Sequence, residues 1–175
     1  IELDGNVTNL NIGGKLYNRG TEVRSYGLRL VNIEKMYVEN VVAHDHVTDG
    51  VYIAGYNYPY PTTYENVPPE ADYVIPAWAS EFRNITSYRN GRQSLTVAGG
   101  QNIYFYNANL YEAGIDALPV VSMPRAVVDL EAELSPIRNV KFYNCTFKNL
   151  LTGFKYIGEL ITELEKQGKA SDFVM

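Results

Sequence analysis

The chain is short of the residues that would identify it quickly. One cysteine in 175 residues, Cys145, excludes an internal disulfide framework and any metal cluster built on thiolates, and we expect it to fill a small core position. His44 and His46 form a His-x-His pair, but no third ligand follows at a suitable spacing, so neither a metal nor a cofactor is expected. No apolar run approaches the roughly 20 residues that a membrane-crossing helix needs, and no membrane insertion is expected. Residues 1–20 lack the basic-then-apolar order of a signal peptide. Lys and Arg are scattered singly in a chain of net charge −5, without the basic stripe that neutralises phosphates, which sets nucleic acid aside as a partner. A Gly-rich phosphate loop and a serine nucleophile elbow are also missing, Gly99-Gly100 being read as the close of a strand.

What is present is a hydrophobic fraction of 46%, enough to bury a core in one or at most two domains. Fifteen Tyr against six Phe and one Trp is a heavy load of aromatics with hydroxyls, suited to half-wet surfaces and broad polar faces. The opening IELDGNVTNL reads as a strand entered midway, and we expect the chain to be part of a longer one.

Self-comparison shows a repeated unit, an apolar residue two before an Asn, then an alternating apolar strand. The Asn members are Asn40, Asn84, Asn107 and Asn144, preceded by Val38, Phe82, Phe105 and Phe142. The strands that follow begin at Val51, Leu95, Val128 and Phe154, at offsets of 11, 11, 21 and 10 residues, so one unit carries an insertion. Leu28-Arg29-Leu30, 23 residues before Val51, extends the series backward. A repeat near that length has the size of one coil of a parallel β-helix, whose strand edges only the next coil can pair. We therefore expect an all-β right-handed parallel β-helix. Strand alternation sends Leu28/Leu30, Val51/Ile53, Leu95/Val97, Val128/Leu130 and Phe154/Tyr156 inward, and Arg29, Tyr52, Thr96, Asp129 and Lys155 outward in one row. The repeated Asn suits a turn and can bond to the Asn of the next coil. On that reading the Asn-x-Thr triplets at Asn6, Asn84 and Asn144 belong to the repeat, not to glycosylation.

The coils are assigned to 1–157, with insertions at about 56–80 and 115–126, and 158–175 to a short amphipathic helix and tail, with Leu160, Ile161 and Leu164 at helical spacing and Gly168 as its stop. The first insertion gathers Tyr56, Tyr58, Tyr60, Tyr64, Tyr73 and Trp78 among prolines. Such rings either stack on sugar C–H faces or pack the loop onto the scaffold. The second, IDALPVVSMPRA, is more apolar and can wall a groove or meet a neighbouring subunit.

Ionisable groups collect in the turns. AHDHVTDG holds His44, Asp45, His46 and Asp49; YRNGRQ holds Arg89 and Arg92; YEAGID holds Glu112 and Asp116. Asp129 and Glu131 alternate with Val128 and Leu130 and share a face, roughly 7 Å apart along the strand. Paired carboxylates at such separations are what glycoside hydrolysis uses, one to protonate the leaving oxygen and one to attack or activate water. A solvated face carries the same pair without chemistry. His46 serves either as an acid or base or as turn packing.

The segments NGRQSLTVAGGQNIYFYNANLYEAG, AVVDLEAE and NVKFYNCTFKN resemble the pectate-lyase-like right-handed β-helix superfamily, in particular the β-helices of bacteriophage tailspikes and capsule depolymerases. The resemblance covers residues 28–157. Val127 stands where that family often has Gly, and the Asn-Thr-Asp and Gly-His-Gly elements of galacturonases are absent, which argues against a plain pectinase. The resemblance implies a homotrimer on a virion or outside the cell, a polysaccharide substrate in a groove, and carboxylates as catalytic groups, with Asp129 and Glu131 at the matching positions. Family members include hydrolases, lyases, epimerases and inactive spacers. The candidate catalytic residues are thus Asp129, Glu131, Asp49, Glu112 and His46, and the candidate substrate contacts Tyr52, Arg89, Arg92, Tyr58, Tyr60 and Trp78. A lyase would draw on His46 or Tyr52 as base with Arg92 on the uronate.

Overall fold

A computed structural model describes residues 4–14, 25–31, 33, 35–55, 80–115, 118–119, 121–122, 124–130, 137–148 and 170–171. These contain strands and turns and no helix. In chain order the strands are β1 (Asp4–Gly13), β2 (Leu28–Val31), β3 (Lys35–His44), β4 (Val51–Ala54), β5 (Ser80–Arg83), β6 (Thr86–Tyr88) and β7 (Leu95–Val97). They continue as β8 (Gly100–Tyr106), β9 (Asn109–Tyr111), β10 (Val128–Leu130), β11 (Ile137–Tyr143), β12 (Thr146–Lys148) and β13 (Ala170–Ser171). The expected strand at Phe154, with Lys155 and Tyr156, and the expected helix over 158–175 lie outside the described residues.

Every pairing among the described residues is parallel, in two sheets. β2, β4, β7 and β10 form the smaller sheet in that spatial order, and the other nine strands form the larger one. The chain alternates between the two, so each strand of the small sheet lies one coil beyond the last. Asn40 to Asn84 spans 44 residues and Asn84 to Asn107 spans 23, yet both steps are one strand spacing in the sheet. The register is kept although the two steps differ in chain length.

That register is fixed by side chains as well as by backbone. Asn9, Asn40, Asn84, Asn107 and Asn144 all take positive φ, between 52° and 56°, a left-handed conformation that Asn tolerates better than other residues with a Cβ. Each after Asn9 donates its amide to the carboxamide oxygen of the previous one: Asn40 to Asn9 at 3.0 Å, Asn84 to Asn40 at 2.9 Å, Asn107 to Asn84 at 3.2 Å and Asn144 to Asn107 at 2.8 Å. The Nδ2 atoms of Asn84 and Asn144, which a glycan would occupy, are thus ladder donors. Asn9 was not in the expected series although Val7-Thr8-Asn9 fits its pattern. A second, shorter ladder joins Asn139 to Asn102 at 2.6 Å.

Between the sheets lies a single large apolar cluster. Phe82, Phe105 and Phe142 stack in a column with successive ring centroids 4.8 Å apart, the strand spacing itself. Phe105 is 1% exposed, and burying such a ring contributes about 1.5–3 kcal/mol. Opposite, Leu28/Val51/Leu95/Val128 and Leu30/Ile53/Val97/Leu130 form the inward rows of the small sheet. Cys145 is half-buried against this cluster, its Sγ accepting the Ala108 N–H at 3.4 Å, and burial pushes its thiol pKa up. The outward rows differ from expectation in one respect. Arg29, Tyr52, Thr96 and Asp129 do form one row in register, but only Arg29 is exposed, and Tyr52, Thr96 and Asp129 are buried. The small sheet is covered on both faces there.

Candidate functional site

The chain leaves the large sheet through short turns, 45–50 after β3 and 89–94 after β6, and enters the small sheet at β4 and β7. These turns stack like the strands, with Gly50 N–H donating to Gln93 O and Val51 N–H to Ser94 O, both at 3.0 Å. The stacking is close: a Cβ on Gly50 would run into Ser87 Oγ and come within 2.6 Å of Asn90 Nδ2. Asp49 is thereby set beside Gln93 of the next coil, three residues before the row that contains Tyr52, Thr96 and Asp129.

Asp49, Gln93, Thr96 and Asp129 make a buried polar cluster on three successive coils. Asp49 and Thr96 are fully buried and Asp129 is 5% exposed. Thr96 Oγ1 donates to Asp49 Oδ2 at 3.1 Å, and Gln93 Nε2 donates to Asp129 Oδ2. Arg92 Nη1 stands 3.9 Å from Asp49 Oδ2, a loose ion pair. Burial pushes the Asp49 carboxyl up to about 7, held back by Arg92, the Thr96 hydroxyl and the Gln93 backbone N–H, and raised further by the charge of Asp129. A carboxyl with that pKa exchanges its proton near neutral pH, as a general acid or base must. Towards the preceding coil, the Tyr52 ring lies 4.7 Å from that of Tyr26, with the Arg29 guanidinium 5.7 Å from the Tyr26 centre and 5.6 Å from the Tyr52 centre.

The structure thus brings together Asp49, Arg92 and Asp129 of the expected set, with Tyr52 beside them in the row. Glu131, Tyr58, Tyr60 and Trp78 lie outside the described residues. Gln93 and Thr96 were missed as site residues; their signal was their spacing, since they stand in register with Asp49 and between Tyr52 and Asp129.

His46, Arg89 and Glu112 belong to a different corner. Asp45, Arg89 and Glu112 follow the paired residues His44, Tyr88 and Tyr111 and all have positive φ, so they form one column. Arg89 Nε lies 3.0 Å from Asp45 Oδ1, and Asp45 Oδ2 lies 2.6 Å from His44 Nδ1. The rings of His44, Tyr88 and Tyr111 stack at 5.0 Å spacing, so each covers its neighbour's face and sugar stacking on the inner faces is precluded. His46 is wedged at the turn. Its Nε2 lies 3.2 Å from the Ile12 carbonyl, and a Cβ on Gly14 or Gly27 would come within 2.6 Å of its ring. Burial lowers its pKa, partly offset by the Ile12 carbonyl. The ring is thus packed into the turn, where burial disfavours its charged form.

Among the described residues, no group of three or more His, Cys, Asp or Glu side chains is placed to hold a metal ion. No helix among them is long and apolar enough to cross a membrane. Comparison of the chain with family models, with curated proteins and with solved structures finds no match.

Proposed function

We propose that this chain is a stretch of right-handed parallel β-helix of the pectate-lyase-like kind, and that it cleaves a bacterial surface polysaccharide as part of a trimeric phage tailspike or related extracellular depolymerase. The parallel pairing, the alternation between two sheets and the Asn ladder support the architecture. The observation that carries the chemistry is a buried polar cluster holding two carboxyls, Asp49 bonded to Thr96 and Asp129 bonded to Gln93, in which burial raises the Asp49 pKa to about 7. In this reading Asp49 protonates the leaving glycosidic oxygen and Asp129, ionised through its bond from Gln93, attacks the anomeric carbon or activates water. Arg92, Arg29 and Tyr52 bind the sugar beside them.

A non-catalytic spacer or adhesin is the second reading, favoured by the burial of both carboxylates, at 0% and 5% exposure. One experiment separates the two. The protein and its Asp49→Asn and Asp129→Asn variants are incubated with a panel of capsular polysaccharides and the products analysed by mass spectrometry. Hydrolysis predicts oligosaccharide release that falls by about 10³-fold or more in each variant with unchanged circular dichroism. Release that persists in both variants sinks the assignment, absence of release from every glycan favours the spacer, and products absorbing as unsaturated sugars point to a lyase.

A further inference from the structure

β7 lies between β4 and β10, so the coil carrying Gln93 and Thr96 separates Asp49 from Asp129. The hydrogen bonds of this cluster do not close. Among the described residues, Asp49 Oδ1 and Gln93 Oε1 are both buried and both without a hydrogen-bond partner, and both residues are 0% exposed. Backbone register sets these two residues side by side on neighbouring coils, about 4.8 Å apart. Two buried acceptors on residues adjacent in register lack a donor, and leaving each bare costs about 1–3 kcal/mol. A single proton supplies that donor.

We propose that Asp49 carries a proton on Oδ1 and donates it to Gln93 Oε1, so that acid, amide and carboxylate form one relay from Asp49 through Gln93 to Asp129, with Gln93 as the positioning residue that decides which aspartate is protonated. The two ends of a carboxamide are not equivalent. Its NH2 only donates, so it needs an acceptor oxygen on Asp129, a role that a carboxylate fills more strongly than a neutral acid, and its C=O only accepts, so the partner on its Asp49 side must carry the proton. The direction of the amide therefore sets the direction of the proton. The raised Asp49 pKa, caused first by burial and reinforced by the Asp129 charge, agrees with this placement. The relay does not depend on catalysis: it holds in an inert scaffold as in an enzyme, and its test reads protonation, not turnover.

The test is a carboxyl 13C NMR titration of the whole chain, with Asp49→Asn and Asp129→Asn used to assign the two signals. The expected result is that Asp49 titrates near 7 and that Asp129 is the first of the two to lose its proton as pH rises. Replacing Gln93 by Met, which fills the space but neither donates nor accepts, should move the two midpoints towards each other by about one unit, a tenfold change in each dissociation constant. Asp129→Asn should lower the Asp49 midpoint by a similar amount, and it serves if Gln93→Met does not fold. An Asp49 midpoint in the ordinary carboxylate range overturns the proposal. So does a protonated Asp129 beside an ionised Asp49, an unmoved pair of midpoints in Gln93→Met, or displacement of the proton by added calcium or sodium.

Discussion

Replacing Asp49 by Asn makes the energetic consequence of this buried carboxyl measurable. Folding moves its pKa from 3.8 to about 7. Because the folded value is the higher, the folded chain binds more protons than the unfolded chain between those two pH values, and stability falls as pH rises through that window. The contribution is fully present below 3.8 and lost above about 7. A rise of about three units at about 1.4 kcal/mol each is on the order of 4 kcal/mol, a large share of the roughly 5–15 kcal/mol that holds a domain folded. The asparagine side chain cannot titrate, and its amide supplies a permanent donor where the acid would carry its proton. Urea denaturation of both proteins from about pH 4 to about pH 8 should therefore show the variant gaining on the parent by on the order of 4 kcal/mol across the range. Subtracting one curve from the other removes the titration of the groups not coupled to Asp49, leaving Asp49 with the change it induces in Asp129. A difference that stays flat from acid to neutral pH would refute a carboxyl buried at the cost described.

Substitutions at two further positions test the scaffold. Asn84→Ala removes a donor bond to Asn40 and an acceptor bond from Asn107 and forces Ala into the left-handed region, a loss of about 2 kcal/mol; Asn84→Gly removes the same bonds without the backbone strain and should cost about 1 kcal/mol. Equal losses in urea titrations would show that the ladder position owes nothing to backbone conformation. Phe105→Ala empties the middle of the aromatic column between Phe82 and Phe142 and should cost about 3–5 kcal/mol, whereas Phe105→Leu should cost about 1–2 kcal/mol; a thermal midpoint unchanged in Phe105→Ala would contradict the buried stack.

The scaffold was the more legible part because its causes are local and repeated. An apolar residue two before Asn marks an inward side chain followed by a position that accepts positive φ, and this pattern alone located Asn40, Asn84, Asn107 and Asn144. Alternation in Leu28-Arg29-Leu30, Val51-Tyr52-Ile53, Leu95-Thr96-Val97 and Val128-Asp129-Leu130 assigned the inward rows. The site was less legible because alternation tells which side of a sheet a residue occupies and not what covers it. Asp129 and Tyr52 were expected in an open groove and are buried. Similarly, His46 and Asp49 sit three residues apart in one turn, and only the stacking of turns sends one against Ile12 and the other against Thr96 and Arg92.

By itself, then, the sequence determined parallel stacked strands, the residues of each inward row and the side-chain ladder, because strand period and backbone preference act within a few neighbouring residues. The tertiary structure decided which ionisable groups meet. Asp49 and Asp129 are 80 residues apart in the chain, yet β4, which Asp49 precedes, and β10, which holds Asp129, are only two strand spacings apart in the sheet; the length of chain between them sets the first separation and not the second. Their shared burial, and with it the shifted proton affinity of Asp49, exists only once the coils have stacked and excluded water from both sides of β4, β7 and β10.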